Sequence, residues 1–416
     1  MIKQSIGIIG LMGCLIQAHA INLQQSIELA LLHNFEIKEK EYIKEEKNAL
    51  DNSSYSAFLP SVDLEYSYER RDKTIVNQNN DDSIGSATVS YNLFNGFSDV
   101  ASLLGTNYDY KASIYNYEAS KQDIILNTKV AYLTILKEQK NVQTQKDALA
   151  LFDKQYEDAY HKFEQGLIAR NDLLEVEVQM LQARQRLLSA QKDLKVARLS
   201  LNNILSNHLP FDEVLEELSY EEASFNFHEN NFLEKRSEVQ ALKMVLQSYN
   251  AQKNSALGNF LPSIDASLSR IEYGESEKLD GKTGYPDDQE VIKVTAKWNL
   301  FAGGKDVNEV IVYTQKKKQV YAQLENIKLQ IQLQYEQALE ELDVAKLNYE
   351  SASKALQQAN INYEIVNNRF IQGISKSSDL IDANFLLSQA KQNFYTAYYD
   401  KFLAIATLQR VLESNQ

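Results

Sequence analysis

The residues with chemistry to offer are few and scattered. Five histidines, His19, His33, His161, His208 and His228, share no ligand spacing, and the one cysteine is Cys14. There is no H-E-x-x-H zinc site, no G-x-S-x-G nucleophile elbow and no glycine loop that would cradle a phosphate, so no enzyme, cofactor or metal is expected. What does stand in a pattern is acid: Asp172 with Glu175, and Asp379 with Asp382, each pair three residues apart. That spacing places both carboxylates of a pair on one helix face, beside its apolar seam. Beyond Asp382 the face goes on as Gln389, Asn393 and Thr396, a polar wall. Acids just after a turn also favour a helix N-terminus, where unpaired N–H groups carry partial positive charge.

The two acid pairs are 207 positions apart, and so is much else. Tyr91 to Val100 reads YNLFNGFSDV, and Trp298 to Val307 reads WNLFAGGKDV. Phe163-Glu164-Gln165-Gly166 answers to Phe370-Ile371-Gln372-Gly373, and Gln182-Ala183 to Gln389-Ala390. Upstream, the FLPS beginning at Phe58 returns at Phe260 with an offset of 202, so five residues were added between Pro262 and Asn299. The chain is a tandem duplication of one long unit, far longer than a solenoid repeat.

Each copy carries long helical seams. Val176, Met180, Ala183, Leu187, Ala190, Leu194, Ala197, Leu201 and Ile204 follow one another at alternating steps of three and four, which is a heptad seam. The second copy repeats it with Leu380, Ala383, Leu387, Ala390, Phe394, Ala397, Ala404, Leu408 and Val411, interrupted by Lys401. A second seam descends to each glycine, through Leu149, Phe152, Tyr156, Ala159 and Phe163 in one copy and from Leu342 to Phe370 in the other. Each copy therefore holds a helical hairpin with its tip at Gly166 or Gly373, where glycine supplies the left-handed conformation that ends a helix. The descending helix of the first copy, from about Ser98 to Gln165, would span roughly 99 Å. A coiled-coil rod, surface-anchored and adhesin-like, without channel activity, is one protein that such helices make.

Between the helices lie short alternating segments. Val62, Leu64, Tyr66 and Tyr68 alternate with Asp63, Glu65, Ser67 and Glu69; Ala87, Val89, Tyr91 and Leu93 alternate with Ser86, Thr88, Ser90 and Asn92. In the second copy Ile292, Val294, Ala296, Trp298 and Leu300 alternate with Lys293, Thr295, Lys297 and Asn299, while Arg270 falls on the face of Ile264, Ala266 and Leu268. Period two over about ten residues suits soluble hairpins with one face on a core, and it suits membrane β-strands. Aromatic residues at strand ends or on the apolar face, among them Tyr66, Tyr91, Tyr273 and Trp298, point to the membrane. Four strands cannot close a barrel whose minimum is about eight, so chains must pool strands, and eight or twelve strands both satisfy this step. The repeated NLF motif then reads as a strand-to-helix hinge, made of Asn92, Phe94 and Gly96 and again of Asn299, Phe301 and Gly303. Ser98-Asp99 and Asp306 stand where they would cap the helix that follows.

Bulk composition agrees with long uninterrupted elements: 416 residues hold 4 prolines and 14 glycines. A net charge of −14 argues against nucleic acid as a partner. Residues 1–20 combine Lys3, an apolar run from Ile6 to Ile16 and Ala18-His19-Ala20, the makings of a cleaved export signal. Leu11-Met12-Gly13-Cys14 is the competing reading, a lipoprotein box, with a very short run before it. Either way the chain leaves the cytoplasm.

With these motifs together, residues 21–413 resemble the TolC family of outer-membrane channel proteins. The carriers are the repeated LPS strand start, the repeated NLFxGxxxxV hinge and the repeated F-x-Q-G tip followed by an aspartate. The resemblance implies a mostly α fold with membrane β: a long antiparallel α-helical barrel, continuous with a twelve-stranded transmembrane β-barrel to which each chain of a homotrimer gives four strands. It implies outer-membrane lipid around the barrel, a helical tunnel in the periplasm, a periplasmic adaptor and an inner-membrane transporter, proton-driven or ATP-driven. The protein would be the passive exit duct of a tripartite efflux pump or a type I secretion system. In domain terms, 21–206 is a first structural repeat with a β-hairpin at about 61–94, and 232–413 a second with one at about 263–301. Residues 207–231 would be an equatorial segment. The resemblance also gives Asp379 and Asp382, with Asp172 and Glu175 in the first copy, as a periplasmic gate, and the tips Gln165-Gly166-Leu167 and Gln372-Gly373-Ile374 as adaptor contacts. Where some members lock the tip with a tyrosine and an arginine, this chain has Phe370 and Ser375, so the lock is missing or rebuilt with Arg170 or Lys376.

Overall fold

The structure is a computed structural model describing residues 21–73, 79–207, 209–210, 214–218 and 231–413. The expected export signal, Cys14 and most of 207–231 lie outside the described residues. In chain order the elements are α1 (Leu23–His33), α2 (Phe35–Ser54), a 3-10 turn (Tyr55–Phe58), β1 (Ser61–Arg70), β2 (Asp81–Asn95), α3 (Ser98–Glu164) and α4 (Arg170–Leu205). Then follow α5 (Phe232–Lys235), α6 (Ser237–Gly258), β3 (Ser263–Gly274), β4 (Asp288–Lys297), α7 (Lys305–Ile371) and α8 (Ser377–Leu412). Among the described residues no helix is long and apolar enough to cross a membrane. The chain forms two compact units, each drawn from both halves of the sequence: 38–120 with 231–333, and 1–37 with 121–230 and 334–416.

The first unit is built on one antiparallel sheet of order β1-β2-β3-β4. Ser61 pairs with Ser90, Thr88 with Ser269 and Ser263 with Lys297, and the register shifts once, between Asn92 and Phe94. Pairing in this register gathers the apolar residues of all four strands on one face, because successive side chains point to opposite sides. That face is bare: Leu64 is 84% exposed and Ile292 81%. Arg270, on the same face, is paired with Asp288 at 2.8 Å and Glu272 at 3.5 Å near the strand end. β4 stops at Lys297, short of Trp298 and Leu300, which alternation alone places in the strand. Its partner β3 begins only at Ser263, which pairs with Lys297 just after Pro262, and beyond that pair the Trp298 indole N–H donates to the Phe260 carbonyl at 3.0 Å.

At the first hinge Gly96 and Phe97 are both left-handed, with φ +58° and +63°. A Cβ on Gly96 would stand 2.2 Å from the Gly258 carbonyl oxygen, so two backbones touch here and only glycine fits. Phe97 meets Phe94 edge to face at 5.1 Å. The second hinge uses Gly303 and Gly304, φ +63° and +84°. The expected caps are used otherwise. The Asp99 carboxylate accepts from the side chains of Asn92 at 2.5 Å and Asn95 at 3.0 Å, tying strand end to helix start. The Ser98 hydroxyl donates to the Ser255 carbonyl at 2.8 Å.

The second unit holds the helical hairpins. In the first, Phe152, Ala159, Leu173, Val176 and Ala183 are buried together with Ile381, and Leu149, Tyr156 and Met180 pack on them. Along α4, Ala183, Ala190 and Ala197 are buried together with Val176, Leu201 and Leu205, and at the alanine positions a methyl lets two helices approach closely. Phe163, at the end of its seam, is 36% exposed. Lys401 sits in the second seam with its ammonium 5.3 Å from the centre of the Tyr349 ring.

A polar latch closes this unit. Tyr132 is fully buried and its hydroxyl lies 2.9 Å from the Ile21 carbonyl and 2.7 Å from that of Glu216. Ile21 and Leu215 form a parallel bridge beside it. Burial, helped by the nearby Glu216 carboxylate, pushes the Tyr132 hydroxyl up to about 12. A raised value means the neutral hydroxyl stabilises the fold fully below the ordinary tyrosine range, an effect lost as pH climbs through about 12. Tyr132→Phe removes this hydroxyl donor, while the Ile21 carbonyl keeps its bond from the Glu216 N–H, and is expected to cost roughly 1 kcal/mol. Urea denaturation in detergent at neutral pH reads this as a lower midpoint, and the gap between variant and wild type closes toward pH 12.

Candidate functional site

The two tips are built alike. α3 ends in a Schellman motif in which Gly166, φ +69°, donates to the Phe163 carbonyl at 2.9 Å and Leu167 donates to Lys162 at 2.9 Å. α7 ends the same way: Gly373, φ +73°, donates to Phe370 at 3.0 Å and Ile374 to Arg369 at 2.8 Å. The motif satisfies the last carbonyls of each helix and throws the next residue outward. Leu167 is 68% exposed and Ile374 69%, and Gln165 and Gln372 beside them are exposed too.

Beyond each tip the first acid is engaged. The Asp172 carboxylate accepts from the Ala169 N–H at 3.4 Å and from the Asn171 amide at 2.8 Å. The Asp379 carboxylate accepts from the Lys376 N–H at 3.1 Å. Each holds the residue before the helix and faces the helix N-terminus, which is a structural task. The second acids are different. Glu175 and Asp382 are exposed, and among the described residues no side-chain hydrogen bond or ion pair holds either.

The structure does not bring all four acids to one place within the chain. Asp172 and Glu175 line a cleft between the tips, together with Lys162, Phe370, Lys376 and Ile381. Asp379 and Asp382 are exposed on α8 and do not line it. Sequence reasoning missed Lys162. Its ammonium lies 4.6 Å from the centre of the Phe370 ring, so the cation over that ring comes from the other tip and not from Arg170 or Lys376. No spacing marks Lys162; its partner is 208 residues away in the chain. Among the described residues no group of three His, Cys, Asp or Glu is placed to hold a metal ion.

The outer membrane efflux protein family matches residues 26–207 and 230–413. The chain belongs to this family. It is accordingly an outer-membrane exit channel for efflux, whose chains pool their strands in a trimeric barrel and whose helices form a tunnel in the periplasm, working with a pump. A comparison with curated proteins finds no match. Solved structures do match. The CmeC outer membrane channel of Campylobacter jejuni is 20% identical over 94% of this chain and 85% of its own, with a TM-score of 0.84. VceC, the outer membrane protein of Vibrio cholerae, is 16% identical over 94% and 96%, TM-score 0.81. The open state of the MtrE outer membrane channel of Neisseria gonorrhoeae is 19% identical over 94% and 88%, TM-score 0.73. At these identities the likeness is one of fold.

The engaged and unengaged acids of this channel separate by experiment. Asp172→Ala removes an acceptor and a first-turn charge, and is expected to cost about 0.5–1 kcal/mol. Glu175→Gln, which breaks no such bond, leaves the denaturation midpoint where it was.

Proposed function

We propose that this chain is the exit duct of a tripartite export machine, in which a periplasmic adaptor docks on the helical tips and opens the mouth, and an inner-membrane transporter drives the flow. The observation that carries this reading is the pair of matching tips, each presenting an exposed aliphatic residue on a helix end that is otherwise fully satisfied. An apolar side chain held outward by a rigid turn in both copies is an anchor for another protein's surface. Leu167→Glu together with Ile374→Glu should abolish co-purification of the adaptor while leaving the channel folded, as read by an unchanged thermal melt. Retained adaptor binding in that variant would remove the tips from the docking surface.

Of the four acids, Asp382 and Glu175 are the better candidates for the gate, since Asp379 and Asp172 are engaged at helix starts. Fixed carboxylates around a narrow mouth attract cations and repel anions, the more so at low ionic strength. Single-channel recordings in planar bilayers should show Asp382→Asn less cation-selective than the parent, with the difference fading as salt rises. The wide cargo range open to such a duct leaves the choice of substrate to the transporter.

A further inference from the structure

The four-stranded sheet ends on β1 at one side and β4 at the other, and in hydrocarbon neither edge can stay unpaired. On the reading of the chain as a shared barrel, β4 of one copy meets β1 of the next. That reading does not say in which register they meet, and the internal repeat does. The offset of 202 carries β1 onto β3, and the offset of 207 carries β2 onto β4. Applied together, they move the pair Ser61 and Ser90 of the first hairpin onto Ser263 and Lys297, which are paired in the second. Glu65 with Ser86 likewise moves onto Ser267 with Lys293. The two hairpins share one register, so the junction of β2 with β3 is an internal template for the junction between copies.

In that template Thr88 faces Ser269 with hydroxyl oxygens 3.0 Å apart, Ser86 faces Ile271 and Ser90 faces Ser267. The same offsets carry these pairs to Thr295 opposite Ser67, Lys293 opposite Glu69, and Lys297 opposite Glu65. None of the template pairs is charged, yet two of the three derived pairs are lysine against glutamate, on the polar face. A slip of two residues one way sets Lys293 against Ser67 and Thr295 against Glu65, and keeps one ion pair, Lys297 against Asp63. A slip the other way sets Lys293 against Arg71. A slip of one residue would turn the polar face into lipid. The transferred register alone makes both ion pairs, although nothing in the transfer used charge. Glu69 already binds Arg71 within its own chain, so Lys293 would join that pair. The second hinge agrees: Gly303 has nothing within 4 Å and Phe301 is 83% exposed, where the equivalent Gly96 is covered by Gly258.

We infer that copies of this chain are joined β4 to β1 in a single register, Thr295 opposite Ser67, fixed by Lys293 with Glu69 and Lys297 with Glu65. Like a ring of head-to-tail contacts, the same pair of edges recurs at every seam. Disulfide trapping in isolated outer membranes tests it. The variant Thr295→Cys with Ser67→Cys should give covalent, reductant-sensitive multimers on denaturing gels. Thr88→Cys with Ser269→Cys is the internal control and should stay within one chain, and the single-cysteine variants control for Cys14. In addition, Lys293→Glu should weaken the multimer against denaturant, and adding Glu69→Lys should restore it. Trapping of Thr295→Cys with Glu65→Cys or Glu69→Cys instead, or of no pair, in a protein that remains trimeric by mass, overturns the register and leaves the channel standing. A monomeric, detergent-free soluble protein overturns the shared barrel itself.

Discussion

An unpaired backbone N–H or C=O in hydrocarbon costs several kcal/mol, and a sheet of four strands has two whole edges of them. That debt cannot be settled inside one chain. Neighbouring copies must supply strands, and each copy must present both edges in a register the next one accepts. The duplication meets this demand economically: one hairpin design, written twice, gives edges already complementary to each other, because β2 and β3 meet within the chain as β4 and β1 must between chains. The bare apolar face, unsuited to water, is what lipid would cover.

The hinges convert that membrane sheet into helices through left-handed residues, Gly96 with Phe97 in one copy and Gly303 with Gly304 in the other. Gly96 touches Gly258 backbone to backbone, and Asp99 is held by two asparagines from the end of β2. Strand end and helix start are thereby one hydrogen-bonded object. At the far ends of α3 and α7 the same economy appears, with Schellman turns satisfying the last carbonyls and an acid satisfying an N–H at the next helix start. Once these tasks are assigned, Glu175 and Asp382 are left with charge and no structural duty, and that is the state a group needs if it is to act on passing ions.

Relatives that are 14–20% identical keep the fold over 94% of this chain. A heptad seam asks only for apolar residues at its steps and small ones where helices approach, so most identities can change while the packing stays. Lys401 occupies one seam position, with its ammonium close to the Tyr349 ring.

Local pattern was enough to read the alternating strands, the long seams and the two glycine turns, because each rests on residues within a few positions of one another, and the duplication is the same short patterns met again 207 or 202 positions on. Trp298 and Leu300 were legible only as an alternating pair; the strand ends before them because its partner begins at Ser263, opposite Lys297. Asp99 looked like a cap until two side chains from β2 claimed it. Tyr132, reaching carbonyls at 21 and 216, and Lys162, reaching Phe370, have no signature at all. Their partners are brought to them by the fold across a hundred residues or more on one side of the contact, or eighty on the other. Periodicity and turn chemistry are written in the chain; which polar group answers which is decided where distant segments meet.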